Sequence, residues 1–94
     1  MPPRLTDAEI AQRLAGLKGW ERAGGAIHKS FSFGKFADGI RFVDRVAAAA
    51  DALDHHPDID IRYTTITMTL ATHSAGGLTG KDFELAERIE QALR

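Results

Sequence analysis

Residues 58–70 read DIDIRYTTITMTL, and their alternation decides the fold. Ile59, Ile61 and Tyr63 alternate with Asp58, Asp60 and Arg62, and farther on Ile66, Met68 and Leu70 alternate with Thr65, Thr67 and Thr69. A period of two sends successive side chains to opposite faces of a strand, so the pattern predicts strands with one apolar and one polar face. No Gly, Asn or Pro marks a turn between the halves, so one long strand and two paired strands both remain open. A sheet with one apolar face needs a covering layer, and the flanking sequence supplies helices.

Upstream, Gly24-Gly25 is suited to a tight hairpin. Trp20 opens a short strand before it, and the returning strand runs from about Ala26 to Phe33, with Ile27, Phe31 and Phe33 on one face. His28 falls on the other face and reads as a solvated strand residue. A helix is predicted over 35–53, where Phe36, Ile40, Val43, Ala47 and Ala50 form a stripe that Phe42, Val46 and Leu53 widen. That breadth predicts burial on more than one side. The run Ala47–Ala50 either keeps the helix thin for close approach of a second subunit or reflects helix propensity alone. At the two ends, Thr6-Asp7-Ala8-Glu9 and Thr79-Gly80-Lys81-Asp82 read as helix caps, with Leu5/Ile10 and Leu78/Phe83 as staples. The expected order is α-β-β-α-β-β-α. This is an α+β two-layer sandwich, a four-stranded antiparallel sheet with helices packed on one face, in one domain over 1–94.

Composition narrows the function classes. Twelve basic residues face thirteen acidic ones, for a formal net charge of −1. With no block of like charge, an electrostatic grip on nucleic acid or anionic lipid is not expected. No apolar run approaches the roughly 18–20 residues that span a bilayer. The stretch Met1–Leu5 has no apolar signal region, and cysteine is absent, which removes disulfides and thiolate chemistry. A cytoplasmic location is expected.

Three of the four histidines frame the alternating stretch: His55-His56 ahead of Pro57, and His73 just beyond it. Imidazole is the side chain whose ordinary pKa lies near neutrality, which suits proton transfer. Parity extended along the last strand places His73 on the polar face beside a glycine loop. Pro57 is expected to end the long helix and hold His56 extended; His55 and His56 can then serve as helix terminators or as proton carriers. Asp82 can cap the last helix, and can also turn back across Gly76-Gly77 to orient a histidine such as His73. A shared metal is disfavoured, because adjacent residues in an extended segment diverge and no His-Glu-x-x-His or His-x-His pattern is present. Ser74 has no nucleophile elbow around it.

The run Asp54-His55-His56-Pro57-Asp58, then Tyr63, Thr67–His73, Gly76-Gly77-Leu78-Thr79 and Asp82 resembles the signature of the pterin-4a-carbinolamine dehydratases, over essentially the whole chain. The resemblance implies dehydration of 4a-hydroxytetrahydropterin to quinonoid dihydropterin, with pterin as substrate and no metal or organic cofactor, in tetrahydrobiopterin recycling. It implies His55, His56 and His73 as catalytic residues; our reading expects His55 and His73 to exchange protons on either side of C4a and His56 to bind and orient the pterin. Asp82, Asp51, Asp58 and Thr72 form the supporting or substrate-binding set. It implies a homodimer or homotetramer. Some members also serve as dimerisation cofactors of a homeodomain transcription factor, so an interaction protein and a pterin-binding module are the alternatives. The chain departs from the family where relatives commonly carry tryptophan at Ile59, asparagine at Ile61 and glutamate at Asp51. These changes bear on the pocket floor and the preferred pterin rather than on the reaction type.

Overall fold

The computed structural model describes residues 3–94; Met1 and Pro2, part of the stretch read as lacking a signal region, lie outside the described residues. The elements are α1 (Asp7–Leu14), β1 (Glu21–Ala23), β2 (Ala26–Ser32), α2 (Phe36–Leu53), β3 (Asp58–Arg62), β4 (Thr65–Leu70), a single 3₁₀ turn (His73–Ala75) and α3 (Gly80–Gln91). The strands form one antiparallel sheet in the order β1-β2-β4-β3, the expected sandwich. The alternating stretch is a hairpin, with Arg62 opposite Thr65. Tyr63 makes the turn without glycine by adopting a positive φ of 52°.

Register sorts the sheet into two faces. Ile27 pairs with Leu70 and Phe31 with Ile66; these four and Met68 are buried against Ile10, Phe42, Val46, Phe83, Leu85 and Ile89 of the helices. The opposite face carries Ser30, Ser32, Thr65, Thr67 and Thr69, exposed or half-buried, with Ser30 and Thr67 hydroxyls 2.7 Å apart. His28 stands there opposite Thr69. Lys29 lies on the helix side and escapes burial through its long stem. Its Nζ donates to the Lys18 carbonyl at 3.0 Å and to Glu90 at 2.9 Å, and Glu90 also accepts from Trp20 Nε1 at 3.0 Å.

Ile59 and Ile61 share the apolar side with Met68 and Ile66, yet remain 37% and 42% exposed because β3 is an outer strand. The buried line of α2 is Gly39, Phe42, Val46 and Ala50, while Phe36 and Ala47 are exposed. Within the chain one face of α2 is covered. Gly39 is needed there, since a Cβ would sit 2.8 Å from Ile66 Cδ1.

Candidate active site

The C-terminus of α2 sets the first half of the site. Helix α2 stops at Leu53, four residues before Pro57, so the proline is not its terminator. Asp54 takes a left-handed conformation (φ 50°), its N–H returning to Asp51 O at 3.2 Å and that of His55 to Ala50 O at 3.1 Å. These two bonds are the Schellman stop. The turn separates the paired histidines, as neighbours leaving a helix must. The His55 ring goes inward to α3, with Nε2 2.6 Å from Asp82 Oδ1. His56 folds back along α2, with Nε2 2.9 Å from Asp51 Oδ1. The first pair is sheltered, at 11% and 0% side-chain exposure; the second is open to solvent.

The loop after β4 makes the second half. Strand β4 ends at Leu70, and Thr72 and Gly77 close a loop by reciprocal backbone bonds of 3.2 and 3.4 Å. His73 therefore opens a 3₁₀ turn instead of extending the strand, and parity no longer sets its direction. It is exposed, on the rim of a recess of about 370 Å³ lined by Gly25, Ala71, Thr72, Gly76 and Gly77.

Asp82 joins the halves. Its Oδ2 accepts from the Thr72 hydroxyl at 2.8 Å and from the Thr79 N–H at 3.0 Å. Thr72 spends its proton on Asp82, so the Thr79 hydroxyl, 2.8 Å away, donates to Thr72. Thr79 in turn accepts from the Lys81 N–H at 3.3 Å. Asp82 thus both caps α3 and orients a histidine, but that histidine is His55, not His73. A buried carboxylate without partners would cost several kcal/mol, and three donors satisfy this one. Among the described residues no buried side-chain N or O lacks a partner. With Nε2 held by Asp82, Nδ1 is the ring nitrogen of His55 left for chemistry.

The structure therefore gathers His55, Asp82 and Thr72, with His73 adjacent through the chain. His56 and Asp51 form a separate surface pair. Asp58 stands opposite Thr69 on the open face of the sheet, apart from this network. Sequence reasoning left Thr79 as a cap only; its place between Thr72 and the α3 N-terminus was implicit in the Thr-x-x-Asp spacing. Among the described residues no three His, Asp or Glu side chains converge as a metal-binding group.

The family model for pterin 4 alpha carbinolamine dehydratase matches residues 3–92. The chain belongs to the pterin-4a-carbinolamine dehydratase family. A protein of Roseiflexus castenholzii that carries the name pterin-4-alpha-carbinolamine dehydratase is 52% identical over 93 residues, 99% of this chain and all of its own. One of Mycobacterium sp. (strain KMS) with the same name is 53% identical over 89 residues, 95% of each chain. Among solved structures, the transcriptional coactivator/pterin dehydratase of Brucella melitensis superposes with a TM-score of 0.92 at 36% identity, covering 95% of this chain and 97% of its own. A pterin dehydratase-like RuBisCO assembly factor of the alpha-carboxysome shares the fold at a TM-score of 0.64 and 24% identity, over 78% of this chain and 84% of its own. Membership in the pterin-4a-carbinolamine dehydratase family makes this chain an enzyme of the hydro-lyase class.

Proposed function

We propose that the protein dehydrates 4a-hydroxytetrahydropterin to quinonoid dihydropterin by imidazole acid–base catalysis, in the cytoplasm and in the service of tetrahydrobiopterin recycling. The observation that carries this reading is the buried Asp82–His55 pair, tied through Thr72 to the loop of His73. The C4a–O bond breaks as a proton reaches the leaving hydroxyl, which departs as water. The N5–H proton is removed, and the freed electron pair forms the C4a=N5 double bond. The nitrogen pair helps expel the hydroxyl, so modest acid–base assistance suffices, typically about 10²–10⁴ in rate. No resident metal or organic cofactor is needed in this scheme.

His55, oriented by Asp82, works through Nδ1, and His73 serves the other proton at the recess rim. His56, held by Asp51, binds and orients the pterin. The exposed alanines of α2 and the half-exposed Phe36 (51%) suit a homodimer or homotetramer built on that helix.

The test follows decay of freshly generated 4a-hydroxytetrahydropterin with and without micromolar protein. Acceleration is expected, with kcat falling at least about tenfold in His55→Ala and in His73→Ala while both stay folded. Unchanged turnover in both variants refutes the mechanism. Pterin binding without acceleration would identify a binding module, and neither binding nor acceleration would leave an interaction role.

A further inference from the structure

Among the described residues, the buried polar side chains are Thr72, Thr79 and Asp82, at 5%, 0% and 0% exposure. All three belong to the network behind His55, yet the cap of α3 is complete with two of them. Thr79 Oγ1 accepts from the Lys81 N–H, and Asp82 Oδ2 accepts from the Thr79 N–H. Thr72 adds nothing to that cap. Its hydroxyl is a second donor on Asp82 Oδ2, at 2.8 Å. Burying a hydroxyl is unfavourable unless it is paired, and a valine would fill nearly the same space without that penalty. Packing therefore has no need of this hydroxyl; the carboxylate behind His55 has.

The direction of the hydroxyl is forced. Thr79 Oγ1 already accepts from Lys81, and its own proton finds the Thr72 oxygen 2.8 Å away. Thr72 thus receives from Thr79 and sends its proton to Asp82. Two donors on Oδ2 fix the carboxylate about its Cβ–Cγ bond, and Oδ1 is presented to His55 Nε2 at 2.6 Å. Without Thr72, the Thr79 N–H alone would hold Oδ2. Chain order points to the other histidine, because Thr72 precedes His73. Its side chain, however, is buried while His73 is exposed. What Thr72 gives the His73 turn is backbone: the reciprocal bonds with Gly77, and a carbonyl that accepts from the Ala75 N–H at 3.0 Å. A change of side chain leaves those bonds in place.

We propose that Thr72 is a positioning residue for His55 and not for its chain neighbour His73: its hydroxyl, aimed by Thr79, locks the Asp82 carboxylate that orients the His55 ring. The consequence for turnover rests on the dehydratase reading; the orientation of the ring does not.

The test compares Thr72→Val, which removes the hydroxyl, with Thr72→Ser, which keeps it. In Thr72→Val, kcat should fall about tenfold with KM within about twofold of wild type, and Thr72→Ser should recover most of the loss. Added to His55→Ala, Thr72→Val should have no further effect. Added to His73→Ala it should show its full factor, because only His55 lies downstream of the hydroxyl. Nitrogen-15 shifts of the His55 ring should move in Thr72→Val while those of His56 and His73 stay, a readout that needs no turnover. If Thr72→Val fails to fold, Thr79→Val takes its place. It keeps the Thr79 N–H on Asp82, removes the donor to Thr72, and should move the same His55 signals. Unchanged His55 shifts in the folded variant, a loss that persists in His55→Ala or vanishes in His73→Ala, or no recovery with serine overturns the proposal. The dehydratase reading is judged separately, by acceleration of 4a-hydroxytetrahydropterin decay in the unaltered protein; should that fail, the nitrogen shifts still decide the positioning.

Discussion

Asp82→Asn is nearly isosteric, yet it should invert the tautomer of His55. The carboxylate accepts three bonds: His55 Nε2 on Oδ1, and the Thr72 hydroxyl and Thr79 N–H on Oδ2. The Thr79 N–H can only donate, so the amide oxygen must replace Oδ2 and the amide NH₂ must face His55. Nε2 then has to accept, and the ring proton moves to Nδ1, the nitrogen proposed for catalysis. A neutral His55 loses its base, and an imidazolium loses its counter-charge, so both roles suffer. We expect kcat to fall by about 10²–10³, within the range that acid–base assistance supplies. Exchanging charged for neutral hydrogen bonds should cost about 1–2 kcal/mol. In a chain of 94 residues that lowers Tm by roughly 5–15 °C. Asp82→Ala, which strands three donors, should cost about 3–5 kcal/mol. Nitrogen-15 shifts of the imidazole report the tautomer, single-turnover decay of the 4a-hydroxypterin reports kcat, and urea unfolding reports stability. An Asp82→Asn protein that keeps the proton on Nε2 and turns over within about threefold of wild type would refute the reasoning.

Two further predictions concern the helix ends. Asp54 holds a positive φ at the negative end of α2, so Asp54→Gly relieves both backbone strain and charge repulsion. It should raise stability by about 0.5–1 kcal/mol, read as an increase in Tm of roughly 2–8 °C; a lower Tm would contradict the Schellman assignment. Backbone and hydroxyl hydrogen bonds from Thr6 hold the Glu9 carboxyl below its ordinary value. The folded state therefore favours the ionised form, and this stabilisation is present above the unfolded pKa and lost as pH falls through the folded one. The advantage of wild type over Glu9→Gln in urea should shrink on acidification, and a constant difference from about pH 7 to about pH 2.5 would exclude the linkage.

Local signals carried much of the fold. Alternation in residues 58–70 marked strand with one apolar face but left one strand or two open, which the turn at Tyr63 settles; the Thr-x-x-Glu and Thr-x-x-Asp spacings located the starts of α1 and α3. Local signals failed where a distant neighbour decides the outcome. The breadth of the α2 stripe did not tell which line of the helix meets the sheet; within the chain that line is Gly39, Phe42, Val46 and Ala50. Ile59 and Ile61 read as the apolar face of a strand and lie on it, but outer-strand placement leaves them partly uncovered. His73 is exposed beside the glycine loop as read, but β4 stops at Leu70 and His73 opens a 3₁₀ turn, so strand parity does not reach it.

The sequence by itself determined the residue types and the covalent order: three histidines around one hairpin, a capping aspartate, and the motifs that resemble one enzyme family. Periodicity and capping act over a few residues, so they could be read without coordinates. Only the tertiary structure decided which carboxylate meets which imidazole. Asp82 reaches His55, 27 positions away, because the Schellman stop turns that ring toward the N-terminus of α3. The same packing lays Arg4 across Gly77. Such contacts depend on how α1, α3 and the first hairpin close over the sheet, and no local pattern encodes them.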